Sequence, residues 1–275
     1  MSISVISLIS YDAHYLPRSI AKYYKYVDEI ILGLDESRIS WSGNSFTFEE
    51  GDLWEALKDI DIDNKISVVE GNFHKSAIAM ENDNYERNFL KSYCTNNFIL
   101  SIDADEEILN AAEFFNNYLP IAARYTKKID FCMTWMTPYK IIEDTALVIV
   151  NDDDSFFNGE KQAVLSNKDA TYVHARWTDL SARGKNRVLS PLVALHWSLC
   201  RTKEELYQKI NNIGHSNIAS TDQFFNTWES VTLDNYKQLR NFKTSGIGHV
   251  QWPKLLAIPK DGLESYYLQN IERNN

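Results

Sequence analysis

Hydrophobic residues in the first hundred positions follow two alternating spacings. Short apolar runs occur four times, as ISVISLIS, DEIILGLD, KISVVEG and FILSI. Between them, apolar residues recur every three or four positions, which predicts helices, whereas the short continuous runs predict buried strands. Strand and helix alternation of this kind predicts a doubly wound, mostly parallel mixed α/β sheet flanked by helices and joined by right-handed crossovers.

The second half of the chain is less regular. The runs KIDFCMTWMTPY and TALVIVND predict two further strands, and residues 203–215 have helical spacing. Residues 151–190 are polar and contain several turn signals. We expect one domain over residues 1–200 and a small, mainly helical C-terminal extension over residues 201–275 that packs on the same domain.

Composition narrows the functional classes. A formal net charge of −10 disfavours broad binding to nucleic acid, so no nucleic-acid partner is expected. No apolar stretch approaches the roughly 20 residues that span a bilayer, and the N terminus lacks the basic segment of a signal peptide. We therefore expect a cytoplasmic protein whose membrane contact, if any, is peripheral. The sequence does not set the oligomeric state.

The fourth predicted strand ends in the acidic segment DADEE. Asp103 and Asp105 are two positions apart and so point to the same side of an extended backbone. Such a pair can share Mg²⁺ or Mn²⁺, whose other ligands are usually waters and substrate phosphates. In the alternative, Asp105 caps a following helix and Glu106 and Glu107 lie in its positive first turn, which leaves Asp103 unexplained.

The order of motifs around this segment resembles that of family 2 glycosyltransferases of the GT-A fold, most of all their lipopolysaccharide-type branch. The segments concerned are VISLISYDAHYLPRSI, VDEIILGLDES and NYERNFLKSYCTNNFILSIDADEE. The resemblance implies a GT-A-like domain that transfers a sugar from a nucleotide-sugar, a UDP-sugar above others, to an acceptor hydroxyl with inversion. The implied acceptor is a glycan or lipid-linked intermediate of surface polysaccharide synthesis, and the implied cofactor is Mn²⁺ or Mg²⁺.

The same resemblance assigns roles to individual residues. The base and ribose would lie beside the segment after the first strand, the sugar or ribose beside Asp103, and the metal on Asp105. His196, after the strand in LVALHWSLC, would be a further metal or phosphate contact, and Lys209 a phosphate-facing cation. Without the resemblance, these two residues would be read as a structural histidine and a solvated charge. The implied nucleotide-sugar contacts are Ser10, Tyr11, Asp12, Asp35, Arg87, Asn88, Asp103 and Lys209, and the implied metal ligands are Asp103, Asp105 and His196.

Inverting transfer needs a general base to take the acceptor proton. The resembled branch has an acid after a histidine on the acceptor side, but the corresponding segment here reads TYVHARW, with Ala175 at the acid position. The aspartate run after the predicted strand TALVIV is also typical of a solvated turn. The candidate bases are Asp152, Asp154, Glu160 and His174.

Two other functions stay open. A sugar nucleotidyltransferase also uses carboxylates and Mg²⁺, but it usually has a glycine-rich basic loop after the first strand, where this chain has SYDAHYLPR. A non-catalytic nucleotide-sugar-binding relic would account for the acid missing at Ala175. Dinucleotide-dependent redox chemistry is disfavoured, because no GxGxxG motif follows the first strand.

Overall fold

The computed structural model describes residues 1–125, 128–155, 157, 161–182, 186–212, 221–243 and 251–273. Within these ranges the strands are β1 (Ile3–Ile9), β2 (Glu29–Asp35), β3 (Ile66–Gly71), β4 (Phe98–Ser101), β5 (Glu106–Ile108), β6 (Asp130–Met136), β7 (Lys140–Ile142), β8 (Thr145–Val150), β9 (Lys161–Asn167), β10 (Tyr172–His174), β11 (Trp177–Thr178), β12 (Arg187–His196), β13 (Arg240–Lys243) and β14 (Gln251–Pro259). The α-helices are α1 (Leu16–Tyr23), α2 (Glu50–Ile60), α3 (Ala79–Tyr93), α4 (Ala111–Glu113), α5 (Leu119–Tyr125), α6 (Asp179–Ala182), α7 (Lys203–Asn212), α8 (Thr221–Ser230) and α9 (Leu263–Arg273).

An eight-stranded mixed sheet forms the centre of the fold, with the strand order β3-β2-β1-β4-β9-β6-β12-β5. Strand β1 pairs in parallel with β2 and β4, and β2 pairs in parallel with β3. Strand β9 is antiparallel to both of its neighbours, β4 and β6. Every residue of β1 is buried, as expected for a strand covered on both faces. The predicted α/β class, with a mostly parallel mixed sheet flanked by helices, is confirmed.

Helices cover the two faces of this sheet with separate apolar clusters. Leu16 and Ile20 of α1 pack with Val5 of β1 in one cluster, and Leu90 of α3 packs in another. Helix α3 approaches β2 closely at Gly33, where an added Cβ would lie 2.6 Å from a methyl carbon of Leu90. The small residue therefore lets α3 lie directly against the sheet, which brings its polar residues to the carboxyl ends of the strands.

A smaller four-stranded sheet joins the two parts of the chain, with the order β13-β14-β8-β7. Strands β13 and β14 come from the C-terminal extension, and β14 is antiparallel to β8 from Lys254 opposite Val150 to Pro259 opposite Thr145. The described part of the extension contains the helices α7, α8 and α9, and its two strands were not predicted from the sequence. Among the described residues, no helix has the length and apolar character needed to cross a membrane.

Candidate functional site

The carboxyl ends of β1, β2 and β4 border a cavity of about 470 Å³. Open parallel sheets bind their ligands at this edge, because the loops that leave neighbouring strands meet there. The cavity is lined by most of the residues that the resemblance assigned to the donor or the metal, namely Ser10, Tyr11, Asp12, Asp35, Arg87, Asp103, Asp105, His196 and Lys209.

Asp105 lies in the cavity wall and is 1% exposed. Its Oδ2 accepts a hydrogen bond of 2.5 Å from Nη2 of Arg201 and one of 2.9 Å from Nζ of Lys209. Burial alone would raise the pKa of Asp105, but the ammonium of Lys209 and the neighbouring positive charges outweigh it and hold the pKa well below its usual range. Asp105 is therefore a buried carboxylate with two cations on one oxygen.

Asp12, after β1, shares both of these cations. Arg201 Nη2 donates to Asp12 Oδ2 at 2.8 Å, and Lys209 Nζ lies 3.4 Å from the same oxygen. Burial would lower the pKa of Lys209, but the negative charge of Asp105 and of other nearby groups outweighs this effect and raises the pKa. Two carboxylates and two cations thus connect the ends of β1 and β4 to the segment after β12 and to α7.

Asp103 is held by Arg87, which α3 carries to the end of β4. Arg87 Nη2 donates to Asp103 Oδ1 at 2.8 Å, and Nη1 donates to Ser101 Oγ at 2.7 Å. Nε of the same guanidinium donates to Asp83 Oδ1 at 2.5 Å. Burial would raise the pKa of Asp103, but Arg87 and then Arg176 outweigh it and lower the pKa. Arg87 therefore fixes an ionised carboxylate at the cavity.

Glu106 forms a third buried pair with Arg176. The two guanidinium nitrogens of Arg176 donate to the two Glu106 oxygens at 2.5 and 2.6 Å. Glu106 begins β5, which runs antiparallel to β12, so the alternative in which Asp105 caps a helix that contains Glu106 and Glu107 is wrong. These glutamates lie in a sheet edge strand, and their charges require side-chain partners.

His196 closes the site from the end of β12. Its Nε2 lies 3.6 Å from Asp105 Oδ2, and its ring stacks on Trp135 at 4.5 Å between centroids. Burial lowers the pKa of His196 to about 4, so the imidazole is neutral at neutral pH. A neutral ring at this position contacts Asp105 without adding a charge.

A further carboxyl group, Glu86, lines the cavity beside Arg87. Trp41 Nε1 donates to Glu86 Oε2 at 2.6 Å. Burial raises the pKa of Glu86 to about 8, against the opposing effects of Trp41 and Arg87. Glu86 therefore holds its proton at neutral pH, unlike Asp103 and Asp105.

The expected metal ligands can be tested against these contacts. One atom favours an ion: Asp105 Oδ1 is buried and has no hydrogen-bond partner among the described residues. However, in the described part of the chain no group of three or more His, Cys, Asp or Glu side chains is placed to hold a metal ion. A dication beside Asp105 would also be repelled by Arg201 and Lys209, which contact the other oxygen of the same carboxylate. This arrangement does not fit a resident Mn²⁺ or Mg²⁺.

Two of the proposed donor contacts have structural partners. Asn88 does not line the cavity; its side chain donates to Tyr172 O at 2.9 Å and accepts from Tyr172 N at 3.0 Å, which ties β10 to α3. Asp35 does line the cavity, but both of its carboxylate oxygens accept backbone hydrogen bonds, one of them from Phe73 N at 2.8 Å. Asp35 thus shapes the loop after β2.

The candidate bases are placed differently from one another. His174, at the end of β10, lines the cavity and is exposed. Asp152 and Asp154 do not line it, and Asp154 Oδ1 lies 3.1 Å from Lys254 Nζ on the smaller sheet. Glu160 lies outside the described residues. Of the described candidates, His174 is therefore the one at the site.

Sequence reasoning missed the two buried arginines, Arg176 and Arg201. Arg176 follows Ala175 in the segment where an acid was sought, and Arg201 follows the strand that ends at His196. A requirement for buried cations could have been inferred, because several acids at the end of a buried strand need partners. Their identity could not, since Arg201 and Asp105 are 96 positions apart in the chain.

One part of the cavity lining is apolar. It is built by β6, β8, β14, α8 and α9, together with the segment after β12. We call it the apolar wall, and its residues are Met136, Ile149, Leu199, Phe224, Trp252 and Tyr267.

Comparisons with known proteins give fold-level likenesses. The crystal structure of TarS 1–349 from S. aureus superposes on this chain with a TM-score of 0.40 and 13% sequence identity, covering 86% of this chain and 77% of that chain. HddC from Yersinia pseudotuberculosis is 11% identical with a TM-score of 0.38, over 71% of this chain and 93% of that chain. The inositol-1-phosphate CTP transferase from T. maritima is 12% identical with a TM-score of 0.37, over 76% of this chain and 96% of that chain. No family model and no curated protein matches the sequence.

Proposed function

We propose that this chain is a glycosyltransferase that moves a sugar from a nucleotide-sugar, a UDP-sugar above others, to an acceptor hydroxyl. One observation carries the proposal: Asp12, Asp103, Asp105 and Lys209 line a single cavity at the carboxyl ends of parallel strands. The carboxylates can accept hydrogen bonds from sugar and ribose hydroxyls, and the ammonium can meet a phosphate oxygen. The sequence resemblance supports the same assignment.

The proposed reaction is a displacement at the anomeric carbon. The bond between this carbon and the diphosphate oxygen breaks, and its electron pair leaves with the diphosphate. The acceptor oxygen forms the new bond from the opposite side, which inverts the configuration, and its proton passes to a base. We assign this base to His174, because it lines the cavity and is exposed to solvent.

The proposed acceptor is a glycan or a lipid-linked glycan intermediate. The apolar wall supports an acceptor with a nonpolar part, because its aromatic and aliphatic side chains line the same cavity as the charged groups. A lipid-linked acceptor would bring the protein to a membrane surface by peripheral contact.

Product analysis tests the proposal. The protein is incubated with UDP-, GDP- and dTDP-sugars, with and without glycan acceptors, and the released nucleotide is identified by chromatography. We expect nucleoside diphosphate, and loss of its release in Asp103→Asn, because that variant removes a charge at the cavity without changing side-chain size.

Three results would contradict the proposal. Release of pyrophosphate from a nucleoside triphosphate and a sugar phosphate would indicate a nucleotidyltransferase. Donor binding without any turnover would indicate a non-catalytic binder. Absence of both binding and turnover would remove nucleotide-sugars from the account altogether.

A further inference from the structure

Lys209 already provides a cation in the part of the cavity where the resemblance expects a metal ion. Its side chain is 15% exposed and lines the cavity, so the ammonium is mostly buried but still accessible from the cavity. An ammonium has three N–H donors. Two point towards Asp105 Oδ2 and Asp12 Oδ2, and among the described residues the third has no acceptor, so it can donate to a ligand in the cavity.

Arg201 shares the two carboxylate partners of Lys209. Its side chain is 0% exposed and is absent from the cavity lining, yet it contacts the same two carboxylate oxygens as Lys209. Arg201 already compensates part of the negative charge of Asp12 and Asp105. The attraction of these carboxylates for the Lys209 ammonium is therefore weaker, and the ammonium stays accessible from the cavity. Arg201 therefore holds the two carboxylates that contact Lys209.

The charges at the strand ends are balanced without any added ion. Asp12 and Asp105 are matched by Arg201 and Lys209. Arg87 pairs with Asp103 and also with Asp83, a buried carboxyl group whose pKa is raised by burial, and Arg176 pairs with Glu106. A typical Mg²⁺ or Mn²⁺ site depends on carboxylates whose charge is uncompensated until the ion arrives. Here the carboxylates at the strand ends, Asp12, Asp103, Asp105 and Glu106, are each already paired with a cation.

We propose that the ammonium of Lys209 is the cation that meets the donor diphosphate, in place of a divalent ion, and that Asp12, Asp105 and Arg201 hold it there. This inference rests on the proposed function, because it needs a diphosphate in the cavity. As the bond to the anomeric carbon breaks, the electron pair moves onto a diphosphate oxygen. The Lys209 ammonium stabilises the added negative charge with a charge-assisted hydrogen bond.

Nucleotide binding with and without metal tests this assignment. UDP, GDP and dTDP are titrated by calorimetry into the protein, once in EDTA and once in Mn²⁺. We expect at least one nucleotide to bind in EDTA, with an affinity within about twofold of that in Mn²⁺. Lys209→Met should weaken binding about tenfold or more, because one charge-assisted contact to phosphate is lost, whereas Lys209→Arg should retain most of it.

Lys203→Met is the matched control, since Lys203 lies on the same helix, is exposed and pairs with Glu229 away from the cavity. It should bind nucleotide like the unaltered protein. Thermal unfolding of each variant establishes that it is folded, and the comparison of EDTA with Mn²⁺ in the unaltered protein needs no variant at all.

The possible failures can be told apart. Binding in Mn²⁺ and not in EDTA would overturn the assignment of Lys209 and leave the proposed function intact. Equal binding by Lys209→Met and the unaltered protein in EDTA would also overturn it. Absence of nucleotide binding under both conditions would overturn the proposed function itself.

Discussion

Two groups of residues that line the cavity are held in different ways. The polar floor consists of Asp12, Asp103, Asp105 and Lys209, and buried arginines pair with its acids. The apolar wall is formed by side chains of β6, the smaller sheet, the segment after β12 and the C-terminal helices, and its Ile149 and Phe224 also belong to an apolar core cluster. The floor is therefore fixed by charge pairing, and the wall by shape. We infer that the floor recognises the charge of a ligand, whereas the wall limits its size and polarity.

Removing a buried charge from the floor should have the largest effect on stability. Arg201→Met leaves Asp12 and Asp105 with Lys209 as their remaining partner. Loss of one member of a buried ion pair typically costs about 3–5 kcal/mol. We expect the free energy of unfolding, measured by urea denaturation, to fall by about this amount, and Lys203→Met to leave it unchanged. Equal stability of the two variants would show that the Arg201 pairs contribute nothing to the fold.

A truncation in the wall should affect stability but not nucleotide binding. Trp252 packs against Phe242 at 5.4 Å and Tyr139 at 6.1 Å between ring centroids, and it is half-buried. Trp252→Ala should lower the free energy of unfolding by about 3 kcal/mol, the lower end for aromatic truncations.

Nucleoside diphosphate affinity of Trp252→Ala, measured at a temperature well below its melting point, should stay within about twofold of the unaltered value, because the floor is intact. A tenfold loss would show that the polar floor and the apolar wall are not separate in function.

The smallest effect concerns protonation of Glu86 at the edge of the floor. Burial raises its pKa from 4.5 to about 8, so between these values the folded chain holds a proton that the unfolded chain has released. The contribution of Glu86 to the free energy of unfolding is therefore fully present below pH 4.5 and is lost as the pH rises through 8. Between pH 6 and 7 this loss amounts to about 1.4 kcal/mol.

Urea denaturation of Glu86→Gln at pH 6 and pH 7 measures this contribution. The amide cannot ionise, so the variant should lack the fall in stability that Glu86 causes. Glu81→Gln is the control on the same helix, because Glu81 is exposed. The pKa assignment is contradicted if Glu86→Gln and the unaltered protein lose equal stability between the two pH values.

Three strands of the first half were predictable because they are almost completely buried, whereas β3, which was also predicted, is largely exposed. Strands β1, β2 and β4 are continuous apolar runs, and all were found from the sequence. Strand β9, KQAVLSN, lies between β4 and β6 yet was missed within a polar stretch. Its buried Ser166 donates a hydrogen bond to Tyr172 Oη, and its buried Asn167 accepts one from Ile129 N. Such tertiary partners cannot be read from local hydrophobicity.

The site was predictable as far as strand ends determine it. Asp103 and Asp105 follow β4, and the carboxyl ends of parallel strands meet at one edge, so their position at a cavity follows from the topology. The difference between Arg87 and Asn88 was not foreseen, although neighbouring helix residues point in different directions. The partner of Asp105 was hidden by sequence distance, because Arg201 reaches it only in the folded chain.

The most direct measurement is a crystal structure of the protein grown with a nucleoside diphosphate and Mn²⁺, with data collected to detect anomalous scattering from manganese. We predict a diphosphate within hydrogen-bonding distance of Lys209 Nζ, with Lys209 still in contact with Asp105. We also predict that no manganese is bound by Asp103 or Asp105. A manganese ion bound by Asp105 and the diphosphate, with Lys209 displaced, would contradict the account, as would a nucleotide bound outside the cavity.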